Sequence, residues 1–145
     1  MAKEVTNFPK KGDNKKVSLK NSKYPQADYA YCLKIKNEYP TLWHKGGNIR
    51  GNEAFEYWTK ARKNIETEGV TDWIREREAW FARHYGDKNV PGIIAWLKWG
   101  GYGQHGESGV KEILGEEMRK IDAKRKKKAS IEYRLEHILN MHLKR

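Results

Sequence analysis

The sequence predicts an all-α protein: a compact bundle of about five helices around an aromatic-rich core, with basic, partly flexible termini. Three observations predict it. Residues 72–99, DWIREREAWFARHYGDKNVPGIIAWLKW, hold four of the six tryptophans (Trp73, Trp80, Trp96, Trp99), with Phe81, Tyr85, Ile74, Ile93, Ile94 and Leu97 among them. Apolar residues elsewhere recur at i, i+3, i+4 and i+7, the spacing of one helix face. The charge is sorted along the chain: residues 1–24 carry net +5, residues 119–128 net +6, residues 129–145 net +1, and residues 25–118 net −1.

Composition sets the scale of the core. The 145 residues suit a single domain. Leu, Ile, Val and Phe number only 26, which with a net charge of +11 leans towards disorder. The six Trp and eight Tyr outweigh that tendency, because each aromatic buries roughly 150–250 Å². One cysteine, Cys32, excludes an internal disulfide and a cysteine-based zinc site. The N-terminus MAKEVTNFPKKGDNKK has no apolar h-region and no run reaches 18 apolar residues, so neither a signal peptide nor a membrane span is expected.

Three regions are expected: a basic arm (1–24), a helical domain (25–121), and a Lys-rich extension with a C-terminal amphipathic helix (122–145). Pro25 suits a helix start and Asp28 its first turn. Tyr29, Tyr31, Leu33 and Ile35 also alternate as a strand would, so residues 29–36 read as helix with strand left open. Leu42 and Trp43 form an anchor before the glycine-rich turn, and Asn52 is a plausible N-cap for a helix over 53–63. Thr71 can cap the next helix, whose expected inner face is Trp73, Arg77, Trp80, Phe81 and His84, with Arg75, Glu76 and Glu78 outside. Pro91 starts PGIIAWLKW, apolar on nearly all sides. Val110, Ile113, Leu114, Met118 and Ile121 mark a further helix. Ser130 is a candidate cap for a last one, with Ile131, Leu135, Ile138, Leu139 and His142 on one face.

Candidate chemistry is sparse. Gly101-Tyr102-Gly103-Gln104-His105-Gly106 matches the dinucleotide-binding glycine pattern, but that pattern needs a strand before it and a parallel unit around it. Here it reads as a helix connection. Trp43–Asn52 combines paired glycines with Lys45 and Arg50 ahead of a helix N-terminus, which are the ingredients of an anion-binding nest; a structural turn is the competing reading. The five histidines lack metal-ligand spacing, no serine lies in a nucleophile elbow, and Glu76, Glu78, Glu116 and Glu117 fall on polar faces. No catalytic residue, metal site or cofactor is expected. Arg83, His84 and Lys98 form a polar cluster among the tryptophans. Arg119, Lys120, Lys124, Arg125, Lys126, Lys127 and Lys128, with Lys10, Lys11, Lys15 and Lys16 in the N-terminal arm, are candidate contacts to phosphates.

Two stretches, YPTLWHKGGNIRGNEAFEYWTKAR (39–62) and REREAWFARHYGDKNVPGIIAWLKWG (75–100), resemble small uncharacterised proteins encoded in tailed-bacteriophage genomes. The matching residues are Gly46, Gly47, Arg50, Trp80, Arg83, His84, Gly92, Ala95, Lys98 and Trp99. The resemblance covers about 39–120, leaves both tails uncovered and carries no catalytic residue. It implies a phage origin, and action in the host-cell cytoplasm or within a virion. The expected function is a non-enzymatic accessory protein that contacts nucleic acid non-specifically through its basic tails. The alternative is a virion structural or protein-interaction module, including an inhibitor of a host protein. Such a module would dock on acidic protein surfaces and form a homo-oligomer through residues 130–143.

Overall fold

The computed structural model describes residues 17–19, 22–47, 49–63, 66–67 and 71–143. Among these the protein is all-α. The helices are α1 (Tyr29–Glu38), α2 (Pro40–Trp43), α3 (Ile49–Ala61), α4 (Thr71–His84), α5 (Val90–Lys98) and α6 (Gly106–Leu143). Strand pairing among the described residues is limited to a two-residue antiparallel ladder, β1 (Val17–Ser18) with β2 (Glu66–Thr67), and one isolated bridge. Residues 29–36 are helix, which settles the ambiguity of their alternating pattern. Asp28 is the N-cap, its carboxylate accepting from the Tyr31 amide, so α1 starts after Pro25 rather than at it.

The core is centred on α5. Ile93, Ile94, Trp96, Leu97 and Trp99 are all buried, as expected of a helix apolar on every side. Phe81 of α4 stacks on Trp96 with ring centroids 4.2 Å apart, and Tyr24 closes edge-on over both rings. A second aromatic set, Trp43, Phe55, Trp58 and Tyr29, joins α2, α3 and α1. Burying side chains of this size stabilises by roughly 1.5–3 kcal/mol each, and the resulting core is contiguous from Leu19 to Met118. Leu19 and Tyr24, at the inner end of the expected basic arm, belong to it.

Several element boundaries differ from the sequence expectation. The helix expected over 53–63 begins four residues earlier, at Ile49, so Asn52 lies inside it and is not its cap. In α4 the buried stripe is Trp73, Ile74, Arg77, Glu78 and Phe81. It is rotated about one residue from the expected face, bringing Glu78 inside and leaving Trp80 and His84 half-exposed. The rotation seats Ile74 in the core and lets Glu78 meet Ser22 and Arg77. Gly101–Gly106 joins α5 to α6 through a 3₁₀ turn, and Gly101 bridges antiparallel to Gln26. No parallel sheet surrounds it among the described residues, so the glycine pattern there is a helix connection.

The last two expected helices are one. α6 runs unbroken for 38 residues, about 57 Å at 1.5 Å per residue, and Ser130 lies within it rather than capping a new helix. Between Glu116 and Leu143 there is neither Gly nor Pro, and Ala, Lys, Arg, Glu and Leu are strong helix formers. One serine lacks the propensity cost to interrupt such a run. Val110, Leu114, Met118 and Ile121 hold the first half on the body, whereas residues 122–142 are exposed throughout. No helix is long and apolar enough to cross a membrane among the described residues.

A tight approach between the glycine turn and α5 makes one position decisive. A Cβ on Gly46 would lie 2.5 Å from Ile94 Cβ and 2.6 Å from the Ala95 amide nitrogen. Gly46→Ala is therefore expected to destabilise by about 1–3 kcal/mol in urea unfolding, the usual cost of overpacking. Gly86→Ala, where an added Cβ meets nothing within 4 Å, should change stability little. Equal effects of the two would remove the packing role assigned to Gly46.

Candidate functional site

The basic run of α6 is laid out by helix geometry. Successive residues turn by about 100°, so Lys124 to Lys128 encircle the helix rather than forming one stripe. The structure divides the seven bases of 119–128 into two groups. Arg119 pairs with Glu116 at 2.6 Å and Lys120 with Glu117 at 3.5 Å. Arg125 folds back on the body: it donates to the Glu38 carbonyl at 2.8 Å, lies 4.9 Å over the Tyr39 ring and is 3.9 Å from Asp122. Asp122 in turn accepts from the Tyr39 hydroxyl at 2.9 Å. Lys124, Lys126, Lys127 and Lys128 have no hydrogen-bond or ion-pair partner among the described residues. Lys10, Lys11, Lys15 and Lys16 lie outside the described residues.

The glycine turn is built differently. Gly46 packs on α5, and Gly47 has φ +84°, a left-handed conformation glycine adopts without strain. Arg50 points to α4, where Glu76 accepts from its Nε at 2.9 Å and from Nη2, and Glu53 lies 3.2 Å from Nη1. An anion at Arg50 would have to compete with two carboxylates. Lys45, by contrast, is exposed to solvent. The turn therefore serves packing first, and Arg50 ties α3 to α4.

Arg83, His84 and Lys98, the expected polar cluster, each have different partners. Arg83 lines a shallow depression of about 370 Å³ together with Arg50, Gly47, Glu76, Trp80 and Trp99. His84 stacks on Trp80, 4.2 Å between ring centroids, with Nδ1 2.9 Å from Asp87 Oδ2. Its backbone carbonyl accepts from Trp96 Nε1 at 2.8 Å. Trp96 is buried and Trp80 is half-buried, stacked on Trp99 at 5.5 Å, so these rings are mainly core. Lys98 lies beneath the glycine turn: it is 1% exposed, donates to Asn52 Oδ1 at 3.0 Å, and sits 5.3 Å over the Trp43 ring. Burial holds its ammonium below the ordinary lysine pKa.

The interior place of Glu78 and a groove beside α1 escape sequence patterning, whereas Arg77 lies on the face expected to be inner. Arg77 is wholly buried beside Glu78, whose carboxyl is pushed up by burial and receives a 2.5 Å hydrogen bond from Ser22. An open groove of about 630 Å³ lies between α1, α2 and α3, with Tyr29, Trp43 and Phe55 in its wall. The one usable cue for Lys98 is its place in a segment apolar all round, where a lysine has no polar face to occupy. Nothing in the sequence pairs α1 with α3, and so nothing announces the groove. Among the described residues no group of three His, Cys, Asp or Glu is placed to hold a metal. Comparison of the chain with protein-family models, with curated proteins and with solved structures gives no match in any of the three.

The burial of Lys98 fixes a pH dependence. Its folded-state pKa lies below the unfolded value of 10.5, so the unfolded chain binds this proton more tightly. The resulting penalty is complete below the folded-state pKa and shrinks as pH rises towards 10.5. Lys98→Met, which keeps the stem and deletes the charge, is expected to be at least as stable as the wild type at pH 7. Its advantage should diminish in thermal unfolding as pH is raised towards 10.5. An advantage that grows with pH would contradict the assignment.

Proposed function

We propose that this chain is a small non-enzymatic accessory protein, of the phage type its sequence resembles, that contacts nucleic acid non-specifically through its basic segments. The observation that carries the reading is the set Lys124, Lys126, Lys127 and Lys128. These are four cations without partners among the described residues, on an exposed length of helix attached to a body of net charge −1. A rod about 10–12 Å across fits a duplex major groove, and lysines on all sides of it can meet phosphates of both strands. The contacts are to backbone charge, so the expected binding is independent of sequence and steeply sensitive to salt. The lysines of 1–24 would add to the same interaction. On this reading the protein acts in the host-cell cytoplasm or within a virion.

The test is fluorescence anisotropy on a labelled duplex across a salt series. Each phosphate neutralised contributes about 0.9 to the slope of log K against log salt, so changing all four lysines to Gln should flatten it by up to about 3.6. Affinity at low salt should fall by at least tenfold. Unchanged binding in that variant combined with removal of residues 1–24 would sink the proposal.

A second reading, a protein-interaction module that assembles through residues 130–143, has its own observation. Ile131, Leu135 and Ile138 lie on one side of α6 beside Leu139, and all four are about half exposed or more. The 4-3 spacing of Ile131, Leu135 and Ile138 suits pairing with another helix. Sedimentation at low and high salt, without nucleic acid, separates the readings: a defined dimer that Leu135→Glu converts to monomer favours assembly. A monomer under both conditions, in wild type and variant alike, removes it.

A further inference from the structure

Lys98 has an unusual electrostatic position. A buried charge is normally paired, because leaving it alone in a low-dielectric interior is costly. Arg77 obeys that rule, with Glu78 at 3.3 Å. Lys98 is 1% exposed, yet among the described residues it has no carboxylate partner; its polar contacts are one hydrogen bond to Asn52 and the face of Trp43.

Both partners of the ammonium, Asn52 and Trp43, line the groove between α1, α2 and α3. An ammonium only donates, so the Asn52 amide must turn its carbonyl inward. Asn52 is exposed, so its NH₂ group, which faces away from Lys98 and meets no protein acceptor among the described residues, is open to solvent on the groove side. The amide passes the influence of the buried charge outward, as donors polarised by a cation behind them. At the mouth, Lys36 and Lys60 outnumber the single acid, Glu56. The volume, about 630 Å³, is within the usual range for small-molecule sites of about 300–1,000 Å³.

We propose that this groove binds a planar organic anion of mononucleotide size. The ring lies against Tyr29 and the small exposed parts of Trp43 and Phe55, the negative group accepts from the Asn52 amide backed by Lys98, and Lys36 and Lys60 close the outer side. The site is separate from the basic run of α6 and does not depend on it. The ligand supplies Lys98 with a counter-charge that none of the described residues provides.

The test uses the full chain, titrated with AMP and UMP, with adenosine as a ring lacking the charge and inorganic phosphate as a charge lacking the ring. Intrinsic tryptophan fluorescence and amide NMR shifts report binding. Saturable binding of at least one nucleotide is expected, with shifts at Asn52 and the Trp43 indole, and at least tenfold weaker binding of adenosine and phosphate. Lys98→Met should weaken the nucleotide at least tenfold. Asn52→Asp gives Lys98 an internal counter-ion, so it should raise the unfolding temperature while abolishing binding. Because that variant is expected to be stabilised, the test stands even if Lys98→Met folds poorly. Glutamine at Lys124, Lys126, Lys127 and Lys128 should leave nucleotide affinity unchanged, which separates this site from the duplex contact. Failure of both nucleotides to bind saturably, equal affinity in Asn52→Asp, or shifts confined to α6 would overturn the proposal.

Discussion

The fold depends on where the Arg77 guanidinium is placed. It is wholly buried, and burial lowers its pKa to about 10, which still leaves it charged at neutral pH. A charged guanidinium in the core must have its donors met. Nε donates to the Trp99 carbonyl at 2.7 Å and Nη2 to the Gly100 carbonyl at 3.0 Å, while Nη1 reaches Glu78 at 3.3 Å and Ser22 at 3.4 Å. The first two acceptors are carbonyls at the end of α5, which that helix cannot satisfy itself. Arg77 thus caps α5 from the side and fixes α4 to it. The N-terminal segment joins at the same point: the Ala27 amide donates to the Gly100 carbonyl, and Ser22 bridges to Glu78. Removing the arginine would leave Glu78 buried with its partner gone, a loss on the order of 3–5 kcal/mol.

That junction also sets the departure of α6. Gly100, at φ +89°, turns the chain where a Cβ would strike the Trp58 ring at 2.7 Å, and Gly101 passes equally close to Phe81. The connection is glycine-rich because the aromatic core comes up against it, which is why its phosphate-binding pattern has no phosphate-binding context. From there Val110, Leu114 and Met118 lay the helix along the body. The Tyr39–Asp122 and Arg125–Glu38 contacts are the last to the body among the described residues; beyond them helix propensity carries the rod outward.

Much of this is legible in the sequence. The all-α class, α5 as core, Pro91 in its first turn and the helical face of 110–121 follow from spacing and composition. The departures share a physical cause. Periodicity reports how apolar a face is, and it cannot register polar residues that the core itself recruits. A carboxylate ordinarily lies outside, yet Ser22 and Arg77, distant and adjacent in sequence, make the interior position of Glu78 tolerable. Asn52 resembles a cap by residue type, but its side chain serves Lys98, 46 residues away. Ser130 has the right identity for a cap and no neighbouring breaker to make it one. Of the candidate site, the lysines of α6 are legible as charge, while which of them are held by Glu116, Glu117 or Glu38 is a matter of three-dimensional neighbours.

Arg77, the unpartnered lysines of α6 and Lys98 occupy three different environments. Arg77 is buried with a partner at each guanidinium nitrogen, and its contacts join α4, α5 and the N-terminal segment. Lys124, Lys126, Lys127 and Lys128 are exposed and unpartnered among the described residues, so water and salt screen them, and their effect on a polyanion is collective and weak per residue. Lys98 is buried like the first and, among the same residues, without a counter-ion like the second. Lys98 thus sits one side chain away from an aromatic groove. An arrangement serving only stability would have an apolar side chain there, because the same stem ending in a methyl group would fill the space without burying a charge.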